Sequence, residues 1–348
     1  MGFRSYLAAQ IGLHPSVMPK DLVKLSYQAA FGAEHLLLDE GAAERRLLEE
    51  FERTEAKDLP LFEEISENFC RINIAAWRWA ELPPEWLFRI FRSARPEEGG
   101  EEHLRSYLSE AREVVRGGGV RFSLQEFDEY LEEYQKAGMP PVRHSEEYRL
   151  SERPAYRIAS SRYIRALPIL REVRRHLSDR GPTVIAIDGR AASGKTTLAA
   201  LLAEVLPADT VHTDDFFLPP ELRSEARLLT PGENIHRERF TEEVIPHLAG
   251  SEPFSYRIFD CARMDYYGER RVGSLPFRIV EGSYSTHPAF GDYAAVTVFS
   301  DVRAEEQKRR ILLRNGEEML GRFLARWIPL EEEYFKHFNV AERASIRV

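Results

Sequence analysis

Thr183-Val184-Ile185-Ala186-Ile187-Asp188-Gly189-Arg190-Ala191-Ala192-Ser193-Gly194-Lys195-Thr196-Thr197-Leu198-Ala199-Ala200 decides how the rest of the chain is read. Val184 to Ile187 form a short apolar run suited to a strand buried on both faces. Gly189 to Thr196 satisfy G-x-x-x-x-G-K-[ST] at every fixed position, and Leu198, Ala199, Leu201 and Leu202 follow at helical spacing. Strand, glycine-rich turn and helix are the context in which this motif carries a mechanism. Gly189 and Gly194 let the backbone turn tightly, so that successive N–H groups face an anion. A helix opening near Lys195 adds the positive end of its dipole. Gly189, Arg190, Ala191, Ala192, Ser193, Gly194, Lys195, Thr196 and Thr197 are therefore the expected cradle for a nucleotide's phosphates. Lys195 is expected to reach the β- and γ-phosphates, and the Thr196 hydroxyl to ligate Mg²⁺. The alternative, a chance glycine turn, lacks a reason for the flanking strand and helix.

Downstream, Ala208 to Thr213 reads as a second parallel strand running into Asp214-Asp215-Phe216-Phe217-Leu218-Pro219. Ligands of open α/β sheets bind at the carboxyl ends of the strands. A carboxylate just beyond such an end is well placed to meet an acceptor hydroxyl, and Asp214 is the candidate base. Asp215 reads better as a cap or turn former. Phe277 to Gly282 supplies a third strand tipped by Glu281, which could hold a metal-bound water or a substrate hydroxyl. Ala294 to Phe299 supplies a further buried strand. A helix from Ala304 to Leu313 then carries Lys308, Arg309, Arg310 and Arg314 on or near one face. Guanidinium groups there suit a lid over phosphates; on spacing alone a solvated basic face explains them equally well.

The chain upstream has another character. Residues 1–150 read as mostly helical, with segments at Pro19–Leu37, Ala42–Arg53, Glu85–Ala94, Glu101–Arg116 and Ser123–Lys136. Gly32 interrupts the first, leaving one bent helix or two short ones. Asn68 to Ala75 fits a strand or a packed loop. Glu34-His35, a carboxylate beside an imidazole, is the most suggestive spot for chemistry in this half, though a capping or core-edge His is the preferred reading. Arg71 and Asn73 read as side chains satisfying backbone groups or meeting a ligand. A charged helix near Arg162 to Leu177 reads as a connector, closed by the stop signal Asp179-Arg180-Gly181-Pro182. Its Arg171, Arg174 and Arg175 read as a solvated face. The expected organisation is a helical domain at 1–150, a connector at 151–180 and an α/β domain at 181–348.

At 348 residues the chain has room for two cores. Its net charge of −9 argues against broad, sequence-independent nucleic-acid binding. Cys70 and Cys261 lack metal-ligand spacing and read as buried, inert thiols in a reducing compartment. No apolar run approaches membrane-spanning length. The opening MGFRSYLAAQIGLHPS has too short an apolar stretch for a signal peptide, and Tyr6 stands where a myristoylation signal wants Ser or Thr. The expectation is a cytoplasmic protein without a membrane partner; self-association stays open.

The phosphate loop, Thr213-Asp214-Asp215-Phe216-Phe217-Leu218-Pro219, Val280-Glu281-Gly282-Ser283-Tyr284 and Arg309-Arg310-Ile311-Leu312-Leu313-Arg314-Asn315-Gly316, in that order, resemble the uridine kinase family. That family stands with phosphoribulokinase and bacterial pantothenate kinase among small-molecule P-loop kinases. The resemblance covers roughly residues 180–340, and Arg326 to Tyr334-Phe335 is similar to the family's closing helix. It implies a parallel sheet flanked by helices, ATP or GTP and Mg²⁺ as cofactors, and phosphorylation of a hydroxyl on a small molecule. It further implies Asp214 as catalytic base, Glu281 at the metal or acceptor side, and Arg310 and Arg314 as lid arginines. The family's nucleoside-contacting segment, rich in His-Pro-Asp, has no counterpart; Gly232 to Phe240 stands in its place. Tyr256 to Asp260 is only loosely similar to a nucleoside-side motif, and Arg263 to Tyr267 matches none. Alternative acceptors are a pantothenate-like metabolite, a sugar phosphate or a nucleic-acid end, and a nucleotide-dependent switch is the reading from another class. The helical half is similar to an uncharacterised domain that accompanies such kinases, which implies no activity.

Overall fold

In a computed structural model, which describes residues 2–95, 99–177 and 181–348, the run beginning at Thr183 is the middle strand of a five-stranded parallel sheet. The chain divides into two units, Met1–Ile164 and Arg165–Val348.

The first unit sets helices around a small antiparallel sheet of β1 (Phe62–Glu64), β2 (Phe69–Asn73) and β3 (Tyr156–Ser160), in the order β1-β2-β3. The stretch left open between strand and loop is thus the central strand β2. Asn73 ends it by accepting from the Ala76 amide at 3.2 Å, capping the helix Ile74–Trp79. The remaining long helices are Phe3–Leu13, Pro19–Phe31, Glu40–Arg53, Pro84–Phe91, Gly100–Arg116 and Leu124–Lys136. Gly32 stops the second of these, with φ +61. His35 packs edge-on against Tyr27 with ring centroids 5.5 Å apart. Ser123 and Glu126 close a reciprocal capping box on Leu124–Lys136.

The division between units falls inside the stretch expected as a connector. Tyr156–Ser160 pairs along its full length with β2, whereas Leu167–Arg175 is a helix of the second unit. That helix is shorter than expected and buries Leu167, Ile169, Leu170 and Val173. Asp179 and Arg180 of the stop signal lie outside the described residues.

In the second unit the strands are β4 (Thr183–Gly189), β5 (Ala208–His212), β8 (Phe277–Glu281), β9 (Val296–Ser300) and β10 (Ile346–Arg347), ordered β10-β9-β4-β8-β5 and all parallel. Every residue of β4 is buried, as its unbroken apolar run requires. Between β5 and β8 the chain makes an antiparallel hairpin of β6 (Phe254–Asp260) and β7 (Asp265–Val272), which the sequence reading did not contain. Cys261 lies in its turn and is exposed, not buried as expected, because no core reaches the hairpin tip; Cys70, on β2, is buried. The late helix runs Ala304–Arg322, longer than the pattern suggested, with a break at Gly316 (φ 80). Ile328–Phe338 follows and sends Tyr334 and Phe335 into the core. No described helix is long and apolar enough to cross a membrane.

Candidate active site

The phosphate loop leaves β4 hard against the tip of β9. A Cβ on Gly189 would overlap the Ser300 carbonyl oxygen, and φ there is +138, so only glycine fits. The loop's carbonyls are held from outside: Gln307 Nε2 donates to Ala191 O (3.0 Å), Arg310 to Ala192 O (3.1 Å) and Arg165 to Ser193 O (3.2 Å). In a trans peptide the N–H opposes the C=O. Anchoring the Ala191 and Ser193 carbonyls therefore turns the Ala192 and Gly194 amides to the opposite side of the loop. The helix Lys195–Val205 starts there, and its first N–H groups lack intrahelical partners. Lys195 Nζ spans the loop, donating to Gly189 O (2.7 Å) and Arg190 O (3.0 Å). The Arg190 side chain turns away to Asp301 and Glu332, leaving only its backbone in the cradle. Thr196 and Thr197 are exposed on the first helical turn.

Strand register assembles the acidic edge. Glu281 at the tip of β8 lies level with Ile187 of β4 on one side and His212 of β5 on the other. Its carboxylate is buried, accepting from Thr196 Oγ1 at 3.1 Å and meeting His212 Nδ1 at 2.5 Å. The Thr196–Glu281 pair thus exists as a geometry, not only as a sequence spacing.

Asp214 follows β5 in the short 3₁₀ turn Thr213–Phe216. Gly282 makes room for it: a Cβ there would overlap Thr213 Oγ1 and stand 3.3 Å from Asp214 Oδ1, at φ +129. Asp214 is exposed, yet enough protein crowds its carboxylate for burial to act on it. Desolvation pushes its carboxyl above the usual range; Glu281 and Asp215 add to the shift, while Lys195 and His212 oppose it. Among the described residues, none donates a hydrogen bond to that carboxylate. Its neighbour differs in every respect. Asp215 is buried and receives Tyr256 OH (3.0 Å) and Arg270 Nε (2.9 Å), both from the hairpin, so it ties β6–β7 to the strand end.

Of the two arginines expected in a lid, the structure brings one to the loop. Arg310 contacts the Ala192 carbonyl while its Nε pairs with Glu306 at 2.7 Å. Arg314, one turn on, is exposed and donates to the side chain of Asn315.

Four residues near the loop were not singled out from sequence. Asp188 is fully buried and accepts from the Gly189, Tyr284 and Thr286 amides, Thr286 Oγ1 and Tyr334 OH, which locks the strand end to the closing helix. Glu331 accepts from the Ala191 amide (2.9 Å) and Ser283 Oγ (2.7 Å), and burial raises its pKa. Arg165 braces Ser193 as described, and His212 holds Glu281. Only His212 carried a local signal, as the last residue of a strand aimed at the site.

The donors near Thr196 suit a hard cation, since a hydroxyl and a carboxylate are oxygen ligands. Among the described residues no cluster of three acidic, His or Cys side chains forms a metal cage. A magnesium ion here would complete its shell from phosphates and water, as it does when carried in by a nucleotide.

No protein-family model matches the chain, and no curated protein matches it. Among solved structures, the chain is similar to a candidate uridine kinase from Bacillus stearothermophilus at 19% identity and TM-score 0.42, over 53% of this chain and 98% of that one. It is also similar to a candidate fructose transport system kinase from Silicibacter sp. TM1040 at 25% identity and TM-score 0.42, over 52% of this chain and 97% of that one.

Proposed function

We propose that this protein is a nucleoside-triphosphate-dependent kinase that phosphorylates a hydroxyl of a small molecule, with a nucleoside as the first acceptor class to test. One observation carries the reading. An undonated carboxylate, Asp214, stands at the end of β5, near enough to feel Lys195 of the phosphate loop and Glu281 of β8, the latter already bonded to Thr196. A nucleotide switch needs the loop but has no use for an unneutralised carboxylate facing the cleft.

In this mechanism the Ala192 and Gly194 amides and Lys195 bind the triphosphate. Thr196 and Glu281 are the residues that would hold magnesium, which when bound neutralises phosphate charge. His212 fixes the Glu281 carboxylate. Asp214 orients the acceptor hydroxyl and takes its proton as that oxygen bonds to the γ-phosphorus. The bond to the β–γ bridging oxygen breaks, and Lys195 and Arg310 meet the charge that develops on the departing diphosphate.

The test is ADP release from ATP or GTP with Mg²⁺ against a panel of nucleosides, sugars, sugar phosphates and pantothenate-like alcohols. At least one acceptor should stimulate release in wild type and none in Lys195→Ala. Failure of the whole panel, together with unchanged nucleotide binding by Lys195→Ala, would overturn the reading.

A further inference from the structure

Within the first unit, β2 places Arg71 beneath a cavity of about 510 Å³, inside the few-hundred to thousand Å³ range of small-molecule sites. Arg71 is 4% exposed and makes no ion pair among the described residues. Its guanidinium donates to three neutral acceptors: Gln10 Oε1 (3.2 Å), Gln28 Oε1 (3.0 Å) and Tyr156 OH (3.2 Å). Its Nε has no hydrogen-bond partner among the described residues. The guanidinium also lies 4.0 Å from the centroid of the Tyr156 ring. A buried charge held only by neutral groups is costly, and such a charge is ordinarily paired.

The carboxylates lining the cavity make no ion pair with Arg71, although Glu63 is near enough to attract it through space. Glu63 accepts from Gln10 Nε2 (3.2 Å), Glu152 from His14 (2.8 Å) and Ser16 (2.5 Å), and Glu55 pairs with Lys57 (3.2 Å). Arg53 and Arg153, also lining residues, have no carboxylate partner among the described residues. The lining therefore sets Arg53, Arg71, Arg153 and Lys57 against Glu55, Glu63 and Glu152, a positive balance in which Arg71 alone is buried.

Behind Arg71 a second layer fixes its geometry. Buried Asp21 accepts from His144 Nδ1 at 2.8 Å, and His144 Nε2 lies 2.8 Å from Tyr156 OH. Burial lowers the His144 pKa to about 4, so the ring is neutral. With Nδ1–H donated to Asp21, Nε2 accepts the Tyr156 proton. The Tyr156 oxygen then turns its lone pairs to Arg71. Preorganised donors of this kind are what a binding site needs and what a merely packed arginine does not.

We propose that this cavity binds a small organic anion, its carboxylate or phosphate group held by Arg71 and approached past Arg53 and Arg153. Tyr148 and Tyr156 line the same cavity.

The experiment is isothermal titration of the full chain carrying Lys195→Ala, which silences the phosphate loop, with inorganic phosphate and separately with benzoate. The expected result is one-site binding of at least one probe; phosphate alone assigns a phosphate ligand and benzoate alone a carboxylate. Arg71→Gln should weaken it about tenfold or more, the loss of one charge-assisted pair. Arg71→Gln is checked for folding by circular dichroism. Should it fail to fold, Arg53→Ala/Arg153→Ala, on exposed residues, takes its place and should weaken binding severalfold. Absence of binding by both probes would overturn the proposal. So would folded variants that bind like the parent, or displacement of the probe by ATP.

Discussion

His212 Nδ1 and Glu281 Oε1 lie 2.5 Å apart, joining the tips of adjacent parallel strands at the mouth of the phosphate loop. The imidazole leaves Oε2 of Glu281 turned to Thr196, the other residue proposed to hold magnesium. Groups that orient metal-facing carboxylates commonly contribute about 10- to 100-fold to metal affinity or activity. His212→Ala should therefore raise the Mg²⁺ concentration for half-maximal ADP release by about tenfold or more, with nucleotide affinity in excess Mg²⁺ near wild type. An unchanged Mg²⁺ dependence would reduce the pair to packing.

Gly282 is the second test of the same corner. Alanine there would meet Thr213 Oγ1 and adopt φ +129, so both strain and overlap oppose it. Strain of this kind costs about 1–3 kcal/mol, and in a domain of this size each kcal/mol lowers Tm by about 2–4 °C. Gly282→Ala should lose several degrees in a thermal melt, and more in transfer rate than in stability, because Asp214 must move. A variant as stable and active as wild type would show that the close approach has no consequence.

Asp214 also makes a pH prediction. Its folded-state pKa is raised, by desolvation first. The protonated side chain, below the unfolded pKa of about 3.9, does not oppose folding. As pH rises through the folded value, the ionised form weakens the fold. Asp214→Asn should therefore gain Tm over wild type, by a margin that widens from acid toward neutral pH. A margin that is flat or narrows with rising pH would contradict the shift.

The unit boundary can be tested by truncation. Arg165 donates to Ser193 O, Ser300 Oγ and Val348 O, and the following helix buries four apolar side chains. At about 1.5–3 kcal/mol per buried side chain, their loss rivals a domain's whole stability of about 5–15 kcal/mol. Residues 165–348 should melt cooperatively alone, whereas 181–348 should be molten or insoluble. Equal melts for the two fragments would move the boundary to 181.

The sequence disclosed what neighbouring residues determine. Val184 to Ile187, Gly189, Gly194 and Lys195 form strand, turn and helix start within one stretch, and Glu281 ends its own apolar run. Register was another matter. Nothing beside His212 says that Glu281 stands level with it, 69 residues away. The hairpin was hidden because β7 reads Asp265-Tyr266-Tyr267-Gly268-Glu269-Arg270-Arg271-Val272 and is almost wholly exposed, so no hydrophobic alternation marks it. β3 is five residues long and its partner strand β2 lies far upstream, so its pairing has no local signature. Glu331 sits on a helix whose sequence signal is the apolar face of Tyr334 and Phe335, while its carboxylate reaches back to Ala191.

The most direct measurement compares Asp214→Asn with wild type in two assays on the same protein: ATP binding by titration, and phosphoryl transfer by acceptor-stimulated ADP release. Losing a positioned base costs about 10²- to 10⁴-fold in rate. The account predicts that nucleotide affinity stays within about twofold, since Asp214 faces the acceptor rather than the loop amides, while transfer falls by that factor. Asp215→Asn, which removes the charge from the Arg270 ion pair instead, should cost stability first. Transfer at the wild-type rate in Asp214→Asn would contradict the assignment of Asp214 as the acceptor base.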